Sequence, residues 1–110
     1  MKIGIDIVEV KRIARLVKDR NFLERVFTSE EIRYCRGKKK SAQHFAVRFA
    51  TKEAVWKALG QNGTALKDIG VINLPDGKPE AMIRGLRKKN IDISLSHTEE
   101  YAVAVAILKK

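Results

Sequence analysis

The stretch "YAVAVAIL", Tyr101–Leu108, carries apolar side chains on both of the faces a β-strand would present. A strand with water on one side alternates apolar and polar residues, whereas this pattern marks a strand covered on both. The fold must therefore bring a layer of helix to one face and something else to the other. A chain of 110 residues has room for one compact domain, residues 1–110, and for about one helical layer. The remaining face is expected to be buried against another copy of the protein.

The order of the other elements fixes the fold class. "MKIGIDIVEV" alternates as a strand, with Ile3, Ile5 and Ile7 on one face and Gly4, Asp6 and Val8 on the other. From Val10 the period becomes helical: Val10, Ile13, Ala14 and Val17 share one face, while Lys11, Arg12, Arg15 and Lys18 form a basic stripe opposite. "FTSEEI" predicts a second helix, with Thr28 and Glu31 as a capping box and Gly37 near its end. Ser41 is the expected cap of a third, ended by Gly60 and Gly63 around "QN". "KDIGVINLPDGKPEAMI" reads as two strands joined by a Pro-Asp-Gly turn, "RGLRKKN" as a brief helical turn or loop, and "IDISLSHT" as another strand before the last. One strand, three helices, then four strands predicts an α+β fold with a largely antiparallel sheet.

Composition narrows the functional classes. Lys and Arg number 23 against 13 Asp and Glu, a formal net charge of +10, so the surface attracts an anionic partner without naming it. The single cysteine, Cys35, excludes an intramolecular disulfide, and with His44 and His97 it makes no zinc cluster; a reducing cytoplasm is the expected compartment. Cys35 itself reads as packing. The N-terminus opens directly into a strand pattern, so neither a signal peptide nor a membrane span is expected.

Within "RFATKEAVWKALG", Arg48 to Gly60, the helical period puts Phe45, Phe49 and Trp56 on one side and Val47, Ala50, Ala54 and Ala58 on another. Arg48 and Lys52 share one polar strip; Glu53 and Lys57 share a second, hemmed by Phe49 and Ala50. Two readings of Glu53 and Lys57 stand here: an i, i+4 surface ion pair of a few tenths of a kcal/mol, or partly buried charges that need a partner or a metal. Asp6 also has two readings, a cap for the following helix or a second carboxylate beside Glu53. Two carboxylates suit Mg²⁺, which keeps waters and takes its other ligands from a phosphate-bearing substrate. Lys57, with Arg48 and Lys52, would then meet the phosphate. The absence of a glycine-lysine phosphate loop argues against an ordinary ATPase or GTPase. His97 is polar where Ile93 and Leu95 run apolar, as a rim histidine or a ligand-binding one. The competing class is a small basic nucleic-acid-binding module, which suits the charge but leaves Asp6 and Glu53 unexplained.

"GIDIVEVKRI", "FTSEE", "RFATKEAVWKALG", "GKP" and "LSHT" together, in this order and over nearly the whole chain, resemble the holo-acyl-carrier-protein synthases, the short 4′-phosphopantetheinyl transferases. The resemblance implies transfer of 4′-phosphopantetheine from coenzyme A to a serine of apo acyl carrier protein, releasing adenosine 3′,5′-bisphosphate, with Mg²⁺ as cofactor. It implies Asp6 and Glu53 as metal ligands, Glu53 and Lys57 as catalytic, and Arg48, Lys57, Gly60, Pro79, His97 and Thr98 as coenzyme A contacts. It further implies docking of an acidic carrier protein on Arg12 and Arg15, and a homotrimer with sites between subunits. Neither nucleic acid nor membrane is an expected partner on this reading.

Overall fold

A computed structural model describes residues 1–60 and 63–109. Gln61 and Asn62, read above as part of the turn after the long helix, lie outside the described residues. Strand β1 (Lys2–Glu9) leads into four helices, α1 (Val10–Leu16), α2 (Arg20–Val26), α3 (Ser29–Arg36) and α4 (Ser41–Ala58). A single 3₁₀ turn, Leu66–Asp68, precedes β2 (Ile69–Asn73), β3 (Pro79–Ile83), β4 (Leu86–Arg87), β5 (Ile91–His97) and β6 (Tyr101–Leu108). The α+β class and the antiparallel pairing are as the sequence predicts, while three local details and the number of sheets differ.

First, the described residues form four helices where three were expected. The extra one, α2, is made possible by Asp19, whose Oδ1 accepts from the amides of Asn21 at 2.8 Å and Phe22 at 3.4 Å and so satisfies two orphan donors. It exists to bury Phe22, Leu23 and Val26. Second, "RGLRKKN" is neither helix nor open loop. Arg84 and Gly85, both at positive φ (50° and 80°), make a two-residue reversal that pairs β4 with β3. Third, Ser41 is the first helical residue of α4 and not its cap; Lys40 holds that position without a side-chain cap bond. The other expected punctuation is in place. Thr28 and Glu31 form a reciprocal capping box, and Gly77, at φ +86°, closes the Pro-Asp-Gly hairpin.

The strands form two three-stranded sheets, β1-β6-β5 and β2-β3-β4, in place of one. In the first, α4 lies across the inner face, and the residues there are arranged in rows. Gly4, Ala106 and Ile93 form one row, Asp6, Ala104 and Leu95 the next, and Val8, Ala102 and His97 a third. The central alanines, all buried, keep the sheet low beneath the helix. Gly4 is required for the closest approach: a Cβ there would fall 1.9 Å from the Ala54 carbonyl oxygen and 2.7 Å from the Ala58 nitrogen. Phe27, Phe45, Ile13 and Val55 are fully enclosed between α4 and the shorter helices, each burial contributing about 1.5–3 kcal/mol.

On the outer face of the same sheet, β1 and β6 are apolar too, while β5 presents Asp92, Ser94 and Ser96. Ile3 opposes Ile107, Ile5 opposes Val105 and Ile7 opposes Val103, and the three isoleucines are each more than half exposed (64%, 59% and 65%). The cover that "YAVAVAIL" demands is thus present on one face and lacking on the other within a single chain.

Candidate active site

Asp6 points to the α4 side of β1 because even positions of this strand face the helix. The glycine two residues earlier lets the strand come close enough for contact. Lys57 Nζ donates to Asp6 Oδ1 at 3.2 Å and to the Ile5 carbonyl at 3.0 Å. Of the two earlier readings of Glu53 and Lys57, the i, i+4 ion pair is not formed: Lys57 pairs with Asp6 across elements. Among the described residues Glu53 has no cation at ion-pairing distance.

The electrostatics of this cluster follow from that geometry. Burial, then the nearby Asp6 carboxylate, push the Glu53 carboxyl above its ordinary value, against the opposing pull of Lys57 and Arg12. Two part-buried carboxylates, with one lysine paired to only one of them, form an electron-rich pair of hard oxygen donors. That donor set fits a divalent cation such as Mg²⁺, which needs few protein ligands when water and phosphate oxygens complete its shell. No larger cluster of potential metal ligands occurs among the described residues. Arg12 belongs to the exposed stripe of α1, so the basic helix borders the acidic pair directly.

Arg48 and His97 meet at a second place. They line a cleft of about 200 Å³ with Tyr34, His44, Asn73 and Thr51. His97 reaches it because it lies on the inner face of β5, in the row of Val8 and Ala102. The Arg48 guanidinium stacks on the Tyr34 ring at 4.4 Å, and Lys38 approaches the same ring at 4.5 Å. His44 stands edge-on to Tyr34; its burial, followed by Arg48, Lys38 and His97, depresses its pKa. Nine residues separate Arg48 from Lys57, about 13 Å along the helix axis. The chain therefore presents two separate clusters.

The remaining expected ligand contacts are dispersed. Pro79 opposes Asn73, a lining residue of the cleft. Gly60 lies at the Lys57 end of α4, at φ +81°. Thr98 organises the β5–β6 turn, its hydroxyl accepting from Glu100 and Tyr101 amides at 3.1 and 3.0 Å. Tyr34 and Asn73 are not singled out by the sequence, and His44 enters there only as a residue that makes no zinc cluster. A signal for Tyr34 existed in its two nearby cations, but they approach only after α3 and α4 fold together.

Lys52 departs from expectation altogether. It does not share an outward strip with Arg48 or reach toward a phosphate. Its side chain is fully buried, with Nζ donating to Glu31 Oε1 at 2.9 Å, the Leu66 carbonyl at 3.2 Å and the Ile69 carbonyl at 2.5 Å. Glu31 Oε1 also receives the Thr28 amide, so one carboxylate joins the capping box of α3 to the middle of α4. Burial lowers the Lys52 pKa, and Glu31 opposes that shift.

Comparison with known proteins places this arrangement in a class. The family model for the 4′-phosphopantetheinyl transferase superfamily matches residues 2–106, and the chain belongs to that superfamily. Curated relatives include a holo-[acyl-carrier-protein] synthase of Geotalea daltonii, 43% identical over 97% of this chain and 96% of the relative, and that of Thermodesulfovibrio yellowstonii, 47% identical over 96% of each. The fold matches the crystal structure of the Bacillus anthracis holo-(acyl-carrier-protein) synthase in complex with CoA (3′,5′-ADP), with a TM-score of 0.83 and 34% identity over 99% of this chain and 96% of that one. The Helicobacter pylori synthase in complex with coenzyme A gives 0.77 and 33%, over 97% and 99%. Within the superfamily, the chain is a member of the holo-[acyl-carrier-protein] synthase family. Membership sets aside the nucleic-acid-binding alternative. None of the described helices is long and apolar enough to cross a membrane.

Proposed function

We propose that this chain transfers the 4′-phosphopantetheine group of coenzyme A to a serine hydroxyl of apo acyl carrier protein, in the cytoplasm, releasing adenosine 3′,5′-bisphosphate. The observation that carries the reading is the convergence of Asp6, Glu53 and Lys57 beside the exposed basic helix α1. In the transfer, a bond forms between the serine oxygen and the β-phosphorus of coenzyme A. The bond from that phosphorus to the bridging pyrophosphate oxygen breaks, and the bisphosphate leaves with its electron pair.

The chain's own residues supply three things. Asp6 and Glu53 are the carboxylates that would hold Mg²⁺, which when bound supplies charge neutralisation at the pyrophosphate. Lys57, held by Asp6 and the Ile5 carbonyl, places a positive charge at the mouth of this pair, where negative charge builds on the transferring phosphate. Glu53, whose carboxyl favours the proton more than an ordinary glutamate does, takes the serine proton as the hydroxyl attacks. Positioning carries the rest of the rate.

Arg48 and His97 offer cationic and hydrogen-bonding groups to the far phosphate and nucleoside end of coenzyme A, with Gly60, Pro79 and Thr98 as further contacts. The separation of this cleft from Asp6 along α4 supports a site completed by a neighbouring subunit. The uncovered face of Ile3, Ile5 and Ile7 supports a homotrimer as the assembly that covers it. Arg12 and Arg15 dock the acidic carrier.

The deciding experiment mixes the protein with coenzyme A, Mg²⁺ and an apo acyl carrier protein and reads the carrier by intact mass. A gain of one phosphopantetheine group is expected; an unmodified carrier refutes the reading. Light scattering at micromolar concentration is expected to give a trimer, and a mass equal to the 12.5 kDa subunit would refute the assembly.

A further inference from the structure

Two adjoining hollows on the side formed by α2 and α3 share Ile32 and Arg36. Lys18 and Arg20 line the first with Leu23 and Glu24, and Arg33 lines the second. The result is one shallow groove with an apolar floor of Leu23 and Ile32 and a rim of four cations against one carboxylate. Among the described residues, none of Lys18, Arg20, Arg33 and Arg36 has a carboxylate at ion-pairing distance. Their charge is directed at solvent, unlike that of Lys52, Lys57, Arg84 and Arg87, which are all paired.

Helix chemistry accounts for part of this. Arg33 and Arg36 lie in the last turn of α3, where positive charge opposes the helix dipole. That preference asks only for cations near the helix end. It does not ask that they face Lys18 and Arg20 from a different helix across a greasy floor.

Lys18 decides where the groove belongs. It lies in the turn just after α1, continuing the basic stripe that begins at Lys11 and Arg12, and it also lines the groove. The basic surface is therefore continuous from the neighbourhood of Glu53, along α1, into the α2–α3 groove.

We propose that this groove is a second docking site for the carrier protein, resting on the function proposed above: it seats an acidic segment of the carrier that offers an exposed apolar side chain to Leu23 and Ile32. The α1 stripe then steers the acceptor serine toward Glu53 while the α3 arginines hold the carrier's orientation. Contacts of this type act on encounter and register more than on the chemical step.

The test is steady-state loading of an apo acyl carrier protein by wild type and by the double variant Arg33→Glu, Arg36→Glu, with carrier and coenzyme A varied in turn. Both arginines are exposed, so the fold is expected to survive, with the reversed pair melting slightly lower because it sets negative charge in the last turn of α3. The KM for carrier should rise about tenfold while kcat and the KM for coenzyme A hold, and the difference should shrink in high salt, because rim charges are screened. The neutral pair Arg33→Gln, Arg36→Gln should fall between. An unchanged carrier KM in the reversed variant overturns the groove assignment, as does a parallel change in both KM values. If wild type loads no carrier at all, the proposed reaction itself fails and takes the groove with it.

Discussion

Replacing Gly4 by alanine adds one carbon at a point where β1 and α4 have no room for it. The new Cβ would stand 1.9 Å from the Ala54 carbonyl oxygen and 2.7 Å from the Ala58 nitrogen. Both are backbone atoms within a helix, so neither can swing aside as a side chain would. Relief to an ordinary contact requires strand and helix to part by somewhat more than about 1 Å, and overpacking of this kind costs about 1–3 kcal/mol. For a chain of this size that corresponds to a fall of about 5–12 °C in melting temperature. The same movement carries Asp6, two residues along the strand, away from Lys57, to which it is held at 3.2 Å. A misplacement of about 1 Å at a reacting centre can cost about 10²-fold in rate. Gly4→Ala is therefore expected to lower the melting temperature by scanning calorimetry and the carrier-loading kcat together. A variant with wild-type melting and wild-type rate would show that Gly4 does not set the distance between sheet and helix.

Lys52→Met is expected to cost about 3–5 kcal/mol in urea denaturation, because it leaves the Glu31 carboxylate without its cation and takes a donor from the Leu66 and Ile69 carbonyls. Adding Glu31→Gln should recover part of the loss, and a neutral single variant would refute the network. Glu53→Gln should cut loading at saturating Mg²⁺ by about 10² to 10⁴ if this carboxylate accepts the serine proton. The same variant should melt slightly higher at neutral pH. A carboxyl whose folded pKa is raised contributes stability below its unfolded pKa and loses it as pH rises, so removing its charge relieves the fold; a lower melt would contradict that. Burial raises the Cys35 thiol to about 11, so folded protein should resist iodoacetamide at pH 8 and react only on unfolding. The thiol's contribution to stability is complete below its ordinary pKa near 9 and declines between there and about 11.

The parts of the fold that were legible in the sequence are those with local causes. The capping box at Thr28 and Glu31, the Pro-Asp-Gly reversal and the alternation of β1 each depend on neighbours within a few residues. Asp6 was conspicuous because an aspartate between isoleucines contradicts the strand's own pattern. Lys52 was misread because its partners, Leu66 and Ile69, lie 14 and 17 residues downstream in a turn and a strand edge that carry no helical period. From α4 alone it was one more cation on a polar strip. The division into two sheets was invisible for a similar reason: strand patterns report which residues are apolar, not which strands share hydrogen bonds. The cleft around Arg48 assembles residues from α3, α4, β2 and β5, and periodicity within any one of them could not place the others.

The row of Ile3, Ile5 and Ile7 has a consequence beyond geometry. An isolated copy shows this face to water, and an assembly that covers it binds the folded chain and not the unfolded one. Folding and association are then linked by mass action, so the melting temperature should climb with protein concentration. The cell's supply of the protein would itself help decide how much of each chain is folded.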